Sequence, residues 1–366
     1  VDSITQATLG ALCGELVLRR QIGWKGMAWG FFFGTLPDLD VLMSPWLDPI
    51  EGLRNHRGLS HSLFLMLTMS PLFGLLLAKL HKSVSFKRTT GFVLLAWFTH
   101  VLIDCFTSYG TQIFEPFSDN RFAFSNMSII DFFFTIPMLL GCLLCLFFKR
   151  ESLARSRIVW ASTIWICFYS TLSFISQAMA KHHFREALQA QGVEADKLEV
   201  SPTLTNIILW RMLAKVEYQG KDAYAIAYWS HFDTQPIQVE IVSNPHKLAE
   251  PFLENKSFQT LDWFSKGYWR VFQDQNDSES IYFVDMRFEG ILNDEGTVKL
   301  PPFIWKLNLD DQGKITSQRA NLRSGVDPKR AVGRLQRRIM GDKLLWRRGQ
   351  WPWGPSELLP PPNTQQ

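Results

Sequence analysis

Residues 56–62 read HRGLSHS, and the chain runs from them directly into LFLMLTMSPLFGLLLAKL, residues 63–80. About 20 apolar residues, at 1.5 Å each, cross the hydrocarbon of a bilayer. The run therefore reads as a membrane helix with two imidazoles, an arginine and two serines at its mouth. Working outward, 128–148 (SIIDFFFTIPMLLGCLLCLFF) and 158–180 (IVWASTIWICFYSTLSFISQAMA) are also long enough to span, and 89–104 (TTGFVLLAWFTHVLID) is marginal. Two shorter runs, 4–18 and 24–36, flank RRQIGWK and read as short spans or a re-entrant pair. The opening VDSITQATLG lacks the basic residues that precede a removable signal, so none is expected.

Averages conceal this organisation. The 366 residues are 46% hydrophobic, as in many soluble proteins, but residues 1–180 hold 14 Lys/Arg and 11 Asp/Glu against 24 and 23 in the remainder. The sequence predicts a multi-pass α-helical membrane domain of about four to six segments over 1–180, followed by a mainly β domain. Segments such as DAYAIAYWSHF, PIQVEIVS, SIYFVDMRFEG and PFIWKLNL carry short aromatic and β-branched runs between SNP, NDS and NDEG turns. The expected boundaries are a helical linker over 181–200, β structure over 201–325, and a basic, aromatic segment over 326–366. That last segment suits either solvent or anionic headgroups.

Basic residues are retained on the cytoplasmic side of membrane spans. With six crossings, one set of loops holds Arg19, Arg20, Lys25, Lys79, Lys82, Lys87, Arg88, Lys149, Arg150, Arg155 and Arg157, and the other holds Arg54, Arg57 and Arg121. This bias predicts an extracytoplasmic 37–61 loop, 105–127 loop and C-terminal domain, and argues against a nucleic-acid partner. All five cysteines lie at or before Cys167, so no disulfide framework is expected. No G-x-x-x-x-G-K loop or G-x-S-x-G elbow is present.

The unusual polar residues gather on the outer side. Asp38 and Asp40 stand in GTLPDLD, His56 and His61 in the loop that follows, and His100 and Asp104 are four apart on one helix face. Asp2 and Asp131 open spans there and, taken singly, read equally well as helix caps. Glu15 alone falls deep in an apolar run. Ionisable groups are costly in a membrane, so a cluster at one depth points to a site. Imidazoles and carboxylates without paired thiolates are the ligand set of zinc, iron or manganese. Zinc is expected, as one ion or two, with His56, His61, His100, Asp104 and Asp40 as ligands. Asp38, Asp131 or Glu15 would serve as proton acceptor, Asp38 first, and the planar fork of Arg57 suits an oxyanion or phosphate. The loop TSYGTQIFEPF, residues 107–117, would cover the site, with Tyr109 and Thr111 as substrate contacts.

Taken together, DSITQATLGAL, GTLPDLD, NHRGLSHSL, THVLIDCFTSYGTQIFEPFSD and SIIDFFFTIP resemble the YdjM-like family of bacterial inner-membrane proteins, described as metal-dependent hydrolases and as LexA-binding. The resemblance covers roughly residues 1–180. It implies that Asp38 and Asp40 occupy the family's P-D-x-D, His56 and His61 its H-R-G-x-S-H, His100 and Asp104 its H-x-x-x-D, and Tyr109, Gly110 and Thr111 its Y-G-T. The expected activity is hydrolysis of an ester or phosphoester, with a lipid or envelope molecule as the candidate substrate, by a multi-pass protein of the bacterial inner membrane. A non-catalytic adaptor of the LexA-binding type and an ion or metal transporter are the alternatives.

Overall fold

A computed structural model describes residues 1–274, 277, 280–288, 291–292, 299–300, 303–309, 315–320, 327–342 and 357–358. The chain forms two compact units. The first comprises Val1–Leu47, Arg54–Ile175 and Leu204–Asn206; the second comprises Asp48–Leu53, Ser176–Thr203 and Ile207–Gln366.

The first unit is helical. Asp2 caps α1 (Ser3–Ile22) by accepting from the backbone N–H groups of Ile4 and Thr5. Gly23, at φ 61°, turns the chain into α2 (Trp24–Thr35), which packs antiparallel to α1. Glycines make that packing close. A Cβ on Gly14 would lie 1.9 Å from the Gly26 carbonyl oxygen, and one on Gly30 would lie 2.0 Å from that of Gly10. The spacings Gly10-x3-Gly14 and Gly26-x3-Gly30-x3-Gly34 are the small-residue stripes that let membrane helices approach.

A 3₁₀ run over Pro37–Trp46 follows, then the single turn α3 (Gly52–Asn55) and α4 (Leu63–Leu80), capped by the Ser62 hydroxyl. Helix α5 (Phe86–Cys105) packs on α4, where Gly74 lies against Thr90 and the Thr89 hydroxyl donates to the Gly74 carbonyl at 2.7 Å. Phe33, Met66, Phe92, Ala96, Trp97 and Val101 are buried together between these helices. Asp131 caps α6 (Phe132–Cys145), and α7 runs from Leu153 to Ala190.

Among the described residues two helices, α4 and α7, are long and apolar enough to cross a membrane. The expected four to six segments exceed these two for physical reasons. Helix α2, at 12 residues, and α6, at 14, rise only about 18 and 21 Å. Helices α1 and α5 have 20 residues each but bury Gln6, Glu15, His100 and Asp104 along their lengths.

The second unit consists of antiparallel sheets with helices. One sheet has the order β1-β2-β3-β4-β11, formed by β1 (Ala195–Pro202), β2 (Leu209–Tyr218), β3 (Lys221–Ser230), β4 (Val239–Ser243) and β11 (Glu357–Leu358). The other has the order β10-β9-β6-β5, from β5 (Trp269–Gln273), β6 (Ser280–Asp285), β9 (Ile304–Leu309) and β10 (Ile315–Arg319). Strands β7 (Ile291–Leu292) and β8 (Lys299–Leu300) form a separate pair. Gln219 and Gly220, at φ 54° and 73°, make the two-residue turn between β2 and β3 that the strand twist favours.

Alternation divides the second sheet's side chains. Val284 and Ile304 join Leu213, Tyr224 and Val242 of the first sheet in one core, while Phe283 and Trp305 face Phe258 and Phe264 of α8 (Lys256–Ser265). The segment expected as a helical linker divides differently: α7 continues to Ala190, and β1 starts at Ala195 because alternation buries Val200 against the sheet. Within the basic C-terminal segment, α9 (Pro328–Ile339) docks Arg338 onto Asp233 at 2.9 and 3.1 Å. Residues 343–356 and 359–366 lie outside the described residues.

Candidate metal centre

One helix and two 3₁₀ segments bring four side chains to one point. His100 and Asp104 come from successive turns of α5, His61 from the 3₁₀ turn Leu59–His61, and Asp38 from the start of the 3₁₀ run Pro37–Trp46. Nε2 of His61 lies 3.1 Å from Nε2 of His100, 3.3 Å from Asp38 Oδ1 and 3.3 Å from Asp104 Oδ2. His100 Nε2 is 3.5 Å from each of the same two carboxylate oxygens.

The surroundings fix which atoms face inward. His100 Nδ1 is 2.6 Å from the carbonyl oxygen of Gly34, which can only accept, so this nitrogen carries the proton and Nε2 presents its lone pair. Ser60 donates to Asp40 Oδ2 at 2.9 Å and is therefore free to accept from His61 Nδ1, also at 2.9 Å. Asp104 Oδ1 receives Arg57 Nη2 at 3.0 Å and Gln6 Nε2 at 3.0 Å, while its buried Oδ2 has no hydrogen-bond partner among the described residues. Two imidazole nitrogens and two carboxylate oxygens thus converge on a volume that a cation would stabilise.

A metal cation fits this volume. Donor distances of about 2.0–2.2 Å place tetrahedral ligand atoms roughly 3.3–3.6 Å apart, close to the 3.1–3.5 Å edges here. Asp38, His61, His100 and Asp104 form the group able to hold such an ion. Three of these side chains are sealed, at 0–1% exposure, and Asp38 is 22% exposed. Burial alone would raise the Asp38 carboxyl, but the neighbouring His100 and His61 imidazoles outweigh it and hold the group below the usual carboxylate range. Burial likewise opposes charge on His61, yet Asp104 and Asp38 raise it overall.

The structure distributes the other expected site residues differently. Asp40 is turned away from the group: its oxygens take His56 Nδ1 at 2.9 Å, the Arg57 backbone N–H at 3.1 Å and Ser60. Burial is again outweighed, here by His56, and the Asp40 carboxyl is lowered. His56 stands behind Asp40, one third exposed, with its ring 6.1 Å from that of His61. Asp38 takes the place expected of Asp40, and His56 lies outside the four-residue group.

Arg57 is no open oxyanion receptor. It is 5% exposed, held on Asp104 and on the Thr107 hydroxyl at 3.0 Å, and covered by the Tyr109 ring. Its φ of 60° sends its N–H towards Asp40 while its side chain reaches Asp104. Tyr109 is sandwiched between Arg57 and Arg121, and Thr111 is a buried bridge residue paired through its backbone with Phe122. Glu15 and Asp131 are committed elsewhere. Glu15 forms a two-point ion pair with Arg155 at 2.6 and 2.8 Å, and Asp131 caps α6 and accepts from Tyr169. Gln6, Gly34 and Thr107 were not singled out by the sequence, and Ser60 only as one of the two serines of HRGLSHS. Gln6, a polar residue in an apolar helix, carried a visible signal; a backbone carbonyl such as Gly34's carries none.

The YdjM inner membrane protein family matches residues 1–183, half of the chain. The chain belongs to this family. It is also similar to the uncharacterized protein YfhP of Bacillus subtilis (strain 168), with 31% identity over 146 residues, 38% of this chain and 44% of that protein. The chain thus spans less than half the length of that curated relative. No solved structure matches. The YdjM match contains all four converging residues, and family membership agrees with the two membrane-length helices.

Proposed function

We propose that this YdjM-family protein is a metal-dependent hydrolase acting on an ester or phosphoester at the membrane surface. The carrying observation is the inward convergence of four donor atoms, with Asp104 Oδ2 buried and without a hydrogen-bond partner among the described residues. A divalent ion bound there, zinc by its ligand set, would supply Lewis acidity and lower the pKa of water.

The protein's own residues then have distinct tasks. His61, His100 and Asp104 would hold the ion with their buried side chains, and Asp38, the most exposed of the four, would complete the set where a substrate can approach. His56, oriented through Nδ1 by Asp40, would take the proton at Nε2. Arg57 and Gln6 fix Asp104, and Ser60 and Gly34 fix the two imidazoles.

A lipid-borne substrate accords with the segment that carries Asp38. Leu39, Val41, Leu42, Met43 and Trp46 on it are 44–82% exposed, an apolar surface suited to the boundary between headgroups and acyl chains. The basic-residue bias of the sequence supports an extracytoplasmic position for this surface and for the C-terminal domain.

The test is metal analysis joined to turnover. The purified full chain should retain about one divalent ion and hydrolyse a short-chain phosphodiester or carboxylic ester. His61→Ala should abolish both, and His56→Gln should lower turnover at least about 10²-fold with the metal retained. A metal-loaded protein without turnover of either substrate class would overturn the hydrolase assignment.

A further inference from the structure

At the other end of α1 and α5 the first unit has a polar cavity of about 250 Å³. Arg19 lies thirteen residues beyond Gln6 on α1, roughly 20 Å along the helix, so the cavity is remote from the four-residue group. Arg19, Arg20, Gln21, Arg88 and Ser156 supply its polar lining, Leu16 and Trp160 are among its apolar walls, and no carboxylate lines it.

Arg19 makes this more than a basic surface. It is 9% exposed, and its Nη2 donates to the Ser156 hydroxyl at 3.0 Å. Its Nη1 is buried with no hydrogen-bond partner among the described residues. A buried guanidinium donor without an acceptor is costly. An oxyanion in the cavity would satisfy it, with Arg20 and Arg88 closing on the same charge and Ser156 able to donate its own proton.

The apolar side shows what carries the oxyanion. Trp160 is 58% exposed, and Ile164 and Phe168, at 64% and 55%, continue from it along one face of α7 at four-residue spacing. This ridge belongs to a helix apolar enough to cross a membrane. Basic pockets between membrane helices that open onto an apolar face bind lipid headgroups. We infer that the Arg19–Arg20–Arg88 cavity binds the phosphodiester headgroup of an anionic phospholipid, whose acyl chains lie along Trp160, Ile164 and Phe168.

The experiment uses the detergent-solubilised full chain and native mass spectrometry. Three probes are compared: a short-chain phosphatidylglycerol, the phosphatidylcholine of equal chain length, and inorganic phosphate. Phosphatidylglycerol should be retained preferentially, and Arg19→Gln should weaken it at least about tenfold, the effect of losing one charge-assisted hydrogen bond. Arg88→Gln, at an exposed position, should weaken it in the same direction and serves if Arg19→Gln fails to fold. Equal retention of the two lipids would overturn the inference, as would phosphate binding as tightly as phosphatidylglycerol, or an Arg88→Gln protein indistinguishable from the parent.

Discussion

Asp40→Asn separates a metal ligand from a residue that orients one. The Asp40 carboxylate accepts from Ser60 Oγ at 2.9 Å and from the Arg57 N–H at 3.1 Å through Oδ2, while Oδ1 meets His56 Nδ1. Because the Ser60 proton points to Asp40, the serine oxygen accepts from His61 Nδ1–H, and His61 Nε2 keeps its lone pair for the site. An amide at position 40 can present only one accepting atom to these donors. If its NH2 faces Ser60, the hydroxyl turns to donate to His61 Nδ1, the imidazole proton moves to Nε2, and that proton points at His100 and Asp104.

The change costs about one reorganised hydrogen bond and a tautomer, with no ligand removed. Loss of such an outer partner typically weakens metal binding 10–100-fold, about 1.4–2.7 kcal/mol. Competition of the purified protein against a chromophoric zinc chelator measures the change, with His61→Ala as the case of outright loss. Affinity within twofold of the parent would refute the tautomer argument. Complete loss of metal, equal to that of His61→Ala, would make Asp40 itself a ligand.

Three further outcomes follow from other parts of the molecule. Gly30→Ala places a Cβ 2.0 Å from the Gly10 carbonyl oxygen; it should cost about 1–3 kcal/mol by overpacking and also lower metal affinity, because Gly34 on the same helix holds His100, both read by thermal unfolding with and without chelator. Burial, with a smaller contribution from His183, lowers the His231 pKa, so the unfolded chain takes up this proton more readily; its contribution to stability is complete above the ordinary value of about 6.5 and declines as pH falls below it. An NMR titration should place His231 below that value, and His231→Gln should flatten the acid limb. In a Cys-free background, a cysteine at the exposed Asn120 should be labelled from outside the cell and one at the exposed Ser85 should not; the reverse pattern would invert the orientation.

The polar cluster was legible because its members lie at equivalent ends of apolar segments, and four-residue spacing alone put His100 and Asp104 on one face. The distinction between Asp38 and Asp40 was not legible from PDLD read as an irregular loop. In a 3₁₀ run, with three residues per turn, residues two apart point about 120° from each other. Only Asp38 can then face His61 and His100, and Asp40 comes round to their support. The composition change near residue 180 was equally plain, yet it falls within α7, because a helix can exchange an apolar surface for a polar one without interrupting its backbone hydrogen bonds.

Glu15 shows the opposite limit. A carboxylate in an apolar helix invites a reading as a deep relay for ions or protons. Its partner, Arg155, is 140 positions away in sequence, and nothing local announces the pairing. Both oxygens of Glu15 are engaged by the Arg155 guanidinium, and the carboxylate is fully buried. Removing either charge would leave the other buried and uncompensated, at a cost of about 3–5 kcal/mol, so a relay that must repeatedly gain and lose charge there would be expensive to operate. Asp131 is similarly committed, to a helix cap and a tyrosine hydroxyl. With these two acids bound into structure, the carboxylates and imidazoles that converge on a candidate ligand site among the described residues are those at the C-terminal end of α5, where Asp38 meets solvent. That concentration at one end favours chemistry at a surface over passage through the helices.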